Sequence, residues 1–475
     1  MEGLEKEARI ATRVAVSPTN KDMKLGAYRT CAYSYLIALA SKNKGEDSFC
    51  VLRCDDSDPV KHKKENFVSL QNVFTNEMGM AFEATPQDEQ VGLVKFIQAK
   101  KLPTNEFLST SRATSLYQSE RTLIYQHFVE KLLSNGLALK GGDGSILFDV
   151  RQYIELFGSQ IVLSDLVWGK RAIDLIKLTD FGSISRKNDN SKFYLIFPNG
   201  RVLFHLAAVV DDHTWGITHI VRGVDLKPAQ LYQDMLRRAL GFGDVDYIYT
   251  PMLKGDTSTR YFELIKHGFP AGALISYMIS SGYDDPDRLY SGLDEAANGF
   301  DLTKIHRSNS DFSIGKLESI TKKLANKDSV DPKRTRSSLV RYFKILGEDQ
   351  LAEEISNNIP FWNLIHNERR TLAELADYVK RTVSPNYTTE NGIILARIRE
   401  LCKTLVIKAE NLTTDNPGNF VTELNLPKED ISFIRWILLG RMSGINPIYA
   451  LQYLVEKGLL KTRVDACVNY IDSVK

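Results

Sequence analysis

The first half of the chain alternates short apolar runs with helical patterns of apolar residues, which is typical of α/β domains. Residues 12–16 predict a buried strand, residues 27–40 predict a buried helix, and residues 48–56 predict a second strand. A strand, a helix and a strand within about forty residues form a βαβ unit, whose strands lie parallel in one sheet. The sequence therefore predicts a parallel sheet covered by helices.

An amphipathic helix is predicted after Tyr117, and Gly136 suits its carboxyl end. Its expected buried side chains are those of Leu123, Tyr125, Phe128, Leu132 and Leu133. Strand-like segments follow at residues 145–150, 159–168 and 192–197. The apolar density of residues 202–212 and 218–225 then predicts a return to buried sheet.

After about residue 300 the pattern changes to helices with charged exposed faces, as in residues 313–327 and 335–357. The polar, basic segment 328–338 contains Pro332 and is a candidate domain boundary. No internal repeat or low-complexity tract is present in the sequence. We therefore expect an α/β first half and an all-helical second half.

Composition restricts the number of domains, the class of chain and the possible partners only weakly. At 475 residues the chain is too long for one core, and it predicts roughly three domains. A hydrophobic content of 43% and a charged content of 25% exclude a disordered or fibrous chain. Lys and Arg number 61 against 59 Asp and Glu, so a nucleic-acid partner would need a local basic face.

The cysteines and the absence of long apolar runs point to a cytoplasmic protein. Five cysteines are scattered, and Cys50 and Cys54 lack a second pair that would complete a zinc site, so no metal site is expected. The amino-terminal residues lack the apolar core of a signal peptide, and no run is long enough to span a membrane. A mitochondrial or other organelle matrix remains open as a location.

Several motifs together resemble glutamyl-tRNA synthetase, a class I aminoacyl-tRNA synthetase. Residues 13–19 (RVAVSPT) resemble the family's RFAPSPTG, and residues 52–58 (LRCDDSD) are similar to its RIEDTD. Residues 204–223 (FHLAAVVDDHTWGITHIVRG) follow YHFANVVDDHxxGITHVIRG almost position for position. Weaker matches lie at residues 117–121, 300–304, 312–317 and 435–444.

The resemblance implies a Rossmann-type class I catalytic domain with an inserted acceptor-binding subdomain, followed by an all-α half for stem contact and anticodon binding. The expected boundaries are residues 1–136 for the first Rossmann half, 137–200 for the insertion, 201–250 for the second Rossmann half, 251–327 for the stem-contact domain and 328–475 for the anticodon-binding-like domain.

Both ATP-binding signatures of the family are altered. Where the family has a His-Ile-Gly-like motif, this chain has Lys24, Leu25 and Gly26. No Lys-x-Ser-Lys run occurs after Met252, and Lys254 and Arg260 are the cations that remain there. We interpret this second segment as a plain surface turn, and we assign no catalytic residue.

The expected amino-acid pocket keeps part of its polar set. By resemblance, Arg13 and Arg222 would bind a substrate carboxylate, and Ser17 is present. Asp55 replaces the Glu expected at the ammonium position, and Phe204 replaces a Tyr. Alternatively, Arg13 and Arg222 form structural ion pairs with Asp211, Asp212 or Asp225.

Three functions follow from a scaffold with altered signatures. The first is a catalytically degenerate paralogue that binds tRNA or a protein assembly. The second is a divergent but active glutamate–tRNA ligase, and only this hypothesis requires ATP and Mg²⁺. The third is a purely structural scaffold. A membrane partner is not expected, and the oligomeric state stays open.

Overall fold

The predicted strand, helix and strand are present as β1 (Ile10–Val16), α1 (Leu25–Asn43) and β2 (Ser48–Cys54) in the computed structural model. The structure describes residues 9–179, 191–255, 259–284, 288–325, 332–358, 372–387, 395–410, 430–444 and 446–473. These residues form two compact units, one from residues 1–263 and 272–320 and the other from residues 264–271 and 321–475.

The other elements follow in chain order. The strands are β3 (Ala138–Lys140), β4 (Ile146–Asp149), β5 (Gln160–Asp165), β6 (Gly169–Asp174), β7 (Lys192–Ile196), β8 (His219–Gly223), β9 (Asp246–Thr250), β10 (Leu253–Lys254) and β11 (Ser310–Asp311). The helices of residues 64–325 are α2 (Lys64–Asn72), α3 (Gln90–Ala99), α4 (Thr122–Ser134), α5 (Val150–Phe157), α6 (Leu175–Thr179), α7 (Phe204–Thr214), α8 (Lys227–Leu240), α9 (Tyr261–Lys266), α10 (Ala271–Ser280), α11 (Leu293–Ala297) and α12 (Ile314–Ala325). Those beyond are α13 (Pro332–Ile345), α14 (Asp349–Asn357), α15 (Leu372–Val383), α16 (Leu395–Glu410), α17 (Ile431–Leu439), α18 (Ile448–Glu456) and α19 (Leu460–Ser473).

Two parallel strand pairs form the centre of the first unit. β1 pairs with β2 from Ile10 opposite Ser48, and β8 pairs with β9 from His219 opposite Asp246. The two pairs lie beside each other, with β1 next to β8. At this contact the N–H of Thr218 donates to the carbonyl oxygen of Ala11 over 3.0 Å. The carboxyl ends of β1, β2 and β8 therefore meet at one edge, as in a Rossmann-type sheet.

Helix α4 confirms the predicted amphipathic helix but corrects its buried face. Gly136 has φ +72° and donates its N–H to Leu133, as expected where a glycine ends a helix. Leu123, however, is 53% exposed. In a helix with 3.6 residues per turn, the apolar stripe runs through positions next to Leu123 and not through Leu123 itself. That stripe consists of Ile124, Tyr125, Phe128, Val129 and Leu132.

The expectation of sheet at residues 202–212 is wrong, because Phe204–Thr214 is helix α7. Eight of its eleven residues are buried and none is exposed, so its apolar pattern has no polar face and shows no helical period. A fully buried helix and a fully buried strand look alike in such a run. The prediction of sheet at residues 218–225 is confirmed, since His219–Gly223 is strand β8.

The insertion contains strands and the second half is helical, as the sequence predicts. Antiparallel β3, β4 and β7 and the hairpin of β5 and β6 lie between α4 and α7 in the chain. In the described part of residues 332–473 the regular elements are helices, which confirms the all-α half. Residues 328–331 of the candidate boundary 328–338 lie outside the described residues. Helix α13 begins directly after them, at Pro332. None of the described helices is long and apolar enough to cross a membrane.

A buried cluster of charged side chains holds the pair of strands β1 and β2 against α7 and the start of α4. Arg53 on β2 donates to Asp212 over 2.8 Å, and Arg13 on β1 donates to the same oxygen over 3.0 Å. Arg121, at the start of α4, pairs with Asp211 over 2.7 Å. We call Arg13, Arg53, Arg121, Asp55, Asp211 and Asp212 the charge cluster; all six side chains are buried.

The hydrogen bonds around the cluster compensate for the loss of water. Asp211 also accepts from Gln118 over 2.9 Å and from Tyr125 over 3.0 Å. Burial alone would raise the pKa of Asp212, but Arg13, Arg53 and Arg222 outweigh burial and hold it well below its usual range. Removing one partner of such a set leaves another charge buried without compensation.

We predict that Asp211→Ala lowers the free energy of unfolding by about 3–5 kcal/mol, because Arg121 loses its carboxylate partner in a buried position. Lys42→Ala is the matched control: Lys42 pairs with Glu83 over 2.8 Å but is 59% exposed. Its loss should cost under about 1 kcal/mol. Urea unfolding followed by tryptophan fluorescence measures both, and equal costs would contradict the prediction.

Candidate active site

A cavity of about 730 Å³ opens at the carboxyl ends of β1, β2 and β8 in the first unit. It brings together nearly all of the residues that the sequence predicted for the two parts of the site. The predicted residues that line it are Arg13, Ser17, Lys24, Gly26, Asp55, Phe204, Arg222 and Arg260. Lys254 lies on β10 with its side chain exposed and is not part of this lining.

The two arginines of the predicted carboxylate site have different surroundings. Arg13 forms the ion pair with Asp212, which is one of the alternatives that its sequence position allows. Arg222 instead donates Nη1 to the side-chain oxygen of Gln233, and its guanidinium carbon lies 5.4 Å from the ring centre of Phe204. Nη2 of Arg222 is buried and has no hydrogen-bond partner among the described residues.

Asp55, at the predicted ammonium position, is held by a neighbour from the same motif. Arg53 donates Nε to one carboxylate oxygen over 2.6 Å and Nη2 to the other over 3.2 Å. This two-point geometry is the strong form of a guanidinium–carboxylate pair. The negative charge of Asp55 is therefore already matched inside the protein.

The two altered signature segments are hydrogen-bonded to each other; we call residues 22–25 and 259–262 together the clasp. The N–H of Leu25 donates to the oxygen of Thr259 over 2.9 Å, and the N–H of Tyr261 donates to the oxygen of Met23 over 3.2 Å. The N–H of Phe262 and the guanidinium of Arg260 bind the side chain and the backbone oxygen of Asp22.

The clasp corrects the interpretation of the second segment as a plain surface turn. Residues 256–258 lie outside the described residues, but Thr259 is 6% exposed and Tyr261 is fully buried. Leu253 lies so close to Gly26 that a Cβ on the glycine would meet the Cβ of Leu253 at 3.3 Å. Gly26 thus permits the approach of another part of this chain.

The amino end of α1 is therefore largely used by the protein itself. A helix amino terminus binds phosphate through its free N–H groups. The N–H of Leu25 is bonded to Thr259 and that of Ala27 to Lys24. Two of the first three N–H groups of α1 are thus engaged within the protein.

Asp22, Gln233, Leu253 and Thr259 were not predicted from the sequence. The two sides of the clasp are more than 230 positions apart, and no local pattern indicates such a pairing.

His213 stacks on Phe242 with ring centres 3.6 Å apart, and His219 lies 3.7 Å from Asp246. Among the described residues, no three His, Cys, Asp or Glu side chains are grouped as metal ligands.

Comparison with known proteins finds the same resemblance that the sequence motifs indicate. Residues 9–143 match the family model described as tRNA synthetases class I (E and Q), catalytic domain. The chain is 24% identical to the glutamate–tRNA ligase of Clostridium acetobutylicum over 473 residues, with 92% of each covered. It is 27% identical to that of Methylacidiphilum infernorum over 64% of this chain and 61% of the relative.

A solved structure shares the fold. The crystal structure of a glutamate tRNA ligase from Elizabethkingia meningosepticum, in complex with its amino acid, superimposes with a TM-score of 0.55. The match covers 98% of this chain and all of that chain at 17% identity, which extends the common architecture to the helical half. The motifs, the family model over residues 9–143 and the relatives thus agree in one similarity, to the glutamyl-tRNA synthetases of class I.

Proposed function

We propose that this chain is a catalytically degenerate homologue of glutamyl-tRNA synthetase that acts as a binding module for tRNA or for a protein assembly. The observation that carries the proposal is the clasp. It joins the two segments between which a class I enzyme of this family would hold the triphosphate of ATP. Its contacts are backbone hydrogen bonds and the bonds that involve the side chains of Asp22 and Arg260.

The chemistry of amino-acid activation explains why the clasp matters. Attack of a carboxylate on the α-phosphate requires donors that are already placed around the developing negative charge. Lys24, in place of the histidine, is exposed at the start of α1 and has no capping bond there. Removing one preorganised donor typically lowers the rate about 10²–10³-fold, and here both signatures are altered.

Two other functions remain to be tested against this one. An active ligase would have to use Lys24 and Lys254 or Arg260 for the phosphates, and it would need ATP with Mg²⁺. Against that role, Arg260 already donates to the backbone oxygen of Asp22 over 2.8 Å. A purely structural scaffold would bind neither ATP nor tRNA, so the RNA measurement below separates it from a tRNA-binding module.

The unmodified protein should give no detectable ATP–pyrophosphate exchange with glutamate, with or without tRNA, because the phosphate donors are missing. Lys24→His alone should not restore exchange, since the clasp still closes the other side of the site. An active glutamate–tRNA ligase such as the Clostridium acetobutylicum relative serves as the positive control. Robust exchange by the unmodified protein would establish the active-ligase function instead.

If tRNA is the partner, filter binding should give an affinity that falls steeply between 50 and 200 mM salt, because phosphate contacts release counterions; a slope of about −0.9 per contact is expected for a duplex. A heparin competitor controls for unspecific polyanion binding. Weak binding with a shallow slope would exclude the tRNA module and leave a protein assembly as the partner.

The clasp also predicts a pH dependence. Burial raises the pKa of Asp22 to about 6, although the N–H groups of Phe262 and Met23 and the hydroxyl of Tyr28 act in the opposite direction. A carboxyl whose pKa is higher in the folded protein stabilises the fold at low pH, and this contribution is lost as the pH rises through the folded value.

We therefore expect the unfolding free energy of the unmodified protein, relative to Asp22→Asn, to fall by up to about 3 kcal/mol between pH 4 and pH 7. Urea unfolding of both proteins at several pH values measures the difference, in which the other titrating groups cancel. A difference that does not vary with pH would show that Asp22 titrates near its ordinary pKa.

A further inference from the structure

The second unit contains a pair of buried thiols in contact. Cys402 on α16 and Cys467 on α19 have their Sγ atoms 3.9 Å apart, although the two residues are 65 positions apart in the chain. Their side chains are 1% and 0% exposed. The other three cysteines, Cys31, Cys50 and Cys54, lie in the first unit. No spacing in the sequence indicates this pair, because α17 and α18 separate the two helices along the chain.

Helix packing brings the two thiols together. Helices α16 and α19 pack against each other, and each cysteine belongs to an apolar stripe whose members recur three or four positions apart. The stripes consist of Ile398, Leu401, Cys402 and Leu405 on α16 and of Leu460, Val464, Cys467 and Ile471 on α19. Arg399 on α16 also forms an ion pair with Asp472 on α19. The thiols therefore meet inside a helix contact that further side chains hold in place.

The distance between the sulfur atoms is that of free thiols in contact. A covalent S–S bond is about 2.05 Å long, so both cysteines are reduced in this structure. Two cysteines can be bridged without rearrangement of the backbone only when their side chains point toward each other. Cys402 and Cys467 already meet this condition, and a bond requires the two sulfur atoms to approach by roughly 2 Å.

The surroundings distinguish the two thiols. A thiolate, and not a thiol, attacks an oxidant. When Cys402 loses its proton, the thiol of Cys467 can donate to it, and the guanidinium of Arg399 lies nearby. These two groups hold the pKa of Cys402 below its ordinary value, although burial acts in the opposite direction. The same hydrogen bond and burial raise the pKa of Cys467. Cys402 is thus the thiol that ionises first.

We propose that Cys402 and Cys467 form a modification site, at which a small peroxide converts the two thiols into a disulfide that links α19 to α16. The thiolate of Cys402 attacks one oxygen of hydrogen peroxide, the O–O bond breaks, and Cys402 becomes a sulfenic acid. The hydroxide that leaves takes up the proton that Cys402 released.

The second thiol completes the reaction. The sulfur of Cys467 attacks the sulfur of the sulfenic acid, the S–O bond breaks, and the hydroxyl leaves as water with the proton of Cys467. The two cysteines together lose two electrons and two protons, and the peroxide is reduced to two molecules of water. The inference does not depend on the proposed function, because none of the residues that line the cavity of the first unit takes part.

The burial of both thiols decides which oxidant acts. A disulfide reagent such as oxidised glutathione has to bring a whole peptide next to the sulfur that it attacks. Hydrogen peroxide is small and uncharged, so it needs only a small local opening of α19, of the kind that folded proteins undergo. Disulfides that form in a reducing compartment are usually transient. We therefore expect the bond to form with peroxide and to be reversed by a thiol reductant.

Peptide mapping of the full chain after treatment with hydrogen peroxide tests the proposal. Free thiols are alkylated in denaturant, and the protein is digested with trypsin without reduction. Cleavage after Arg399, Lys403 and Arg463 places the two cysteines in separate peptides, residues 400–403 and 464–475. We expect these peptides to be joined with the loss of two hydrogen atoms, the other three cysteines to be alkylated, and dithiothreitol to release the peptides. A non-reducing gel should show the linked protein at the mass of one chain.

Thermal unfolding measures what the bond does to the second unit. The disulfide closes a loop of 65 residues, and such a link stabilises mainly by restricting the unfolded chain. Oxidation should therefore raise the melting temperature by at least about 5 °C, and dithiothreitol should reverse the shift.

Two variants assign the effect to this pair. Cys467→Ala should lose both the linked peptides and the shift, and each variant is compared with its own reduced form, so that the effect of the substitution itself cancels. Cys50→Ala, at a buried position of the first unit, is the matched control and should keep both. If Cys467→Ala does not fold, the peptide map of the unmodified protein still decides the question.

Three results would each overturn the inference. They are a sulfenic or sulfinic acid on Cys402 without the linked peptides, a disulfide that uses one of the cysteines of the first unit instead, and a melting temperature that oxidation leaves unchanged. None of these results changes the expected pyrophosphate exchange or tRNA binding. The inference and the proposed function can therefore fail separately.

Discussion

The ion pairs among Arg13, Arg53 and Asp212 are the interaction on which the first unit depends. They connect strands β1 and β2 to helix α7 at the edge where the strands end, and Asp211 extends the connection to Arg121. Charges buried this deeply are tolerated only when each one is paired and hydrogen-bonded. The positions of two strands and two helices are thus fixed by one set of side chains, and the cavity lies directly against it.

On the proposed function, this arrangement explains how motif residues of a site can be kept for the fold rather than for chemistry. By resemblance, Arg13 and Asp55 occupy substrate positions, and each of them contacts a partner within the protein. Their replacement would disturb the fold whether or not a ligand binds. Arg222 is different, because its second nitrogen has no hydrogen-bond partner among the described residues.

Much of the fold could be predicted from the sequence, and the failures have physical reasons. The βαβ unit and α4 have clear periods, whereas α7 is buried all round and shows none. The pair of Arg53 and Asp55 could have been found, since alternate residues of a strand share a face. The clasp could not, because the contact of Leu25 with Thr259 joins distant segments, and nothing local to either of them specifies the pairing.

The two ends of the cavity consequently differ in how firmly they are held. At the charge cluster, separating any pair exposes a buried charge, which costs several kcal/mol in typical proteins. At the clasp, the backbone bonds of Leu25 and Tyr261 are neutral, and such bonds contribute about 0.5–1.5 kcal/mol each. Asp22 and Arg260 add charged groups, but each of these bonds joins a charge to a backbone group and not to a second charge. An opening of the cavity would therefore begin at the clasp, while Arg222 and its neighbours stayed in place.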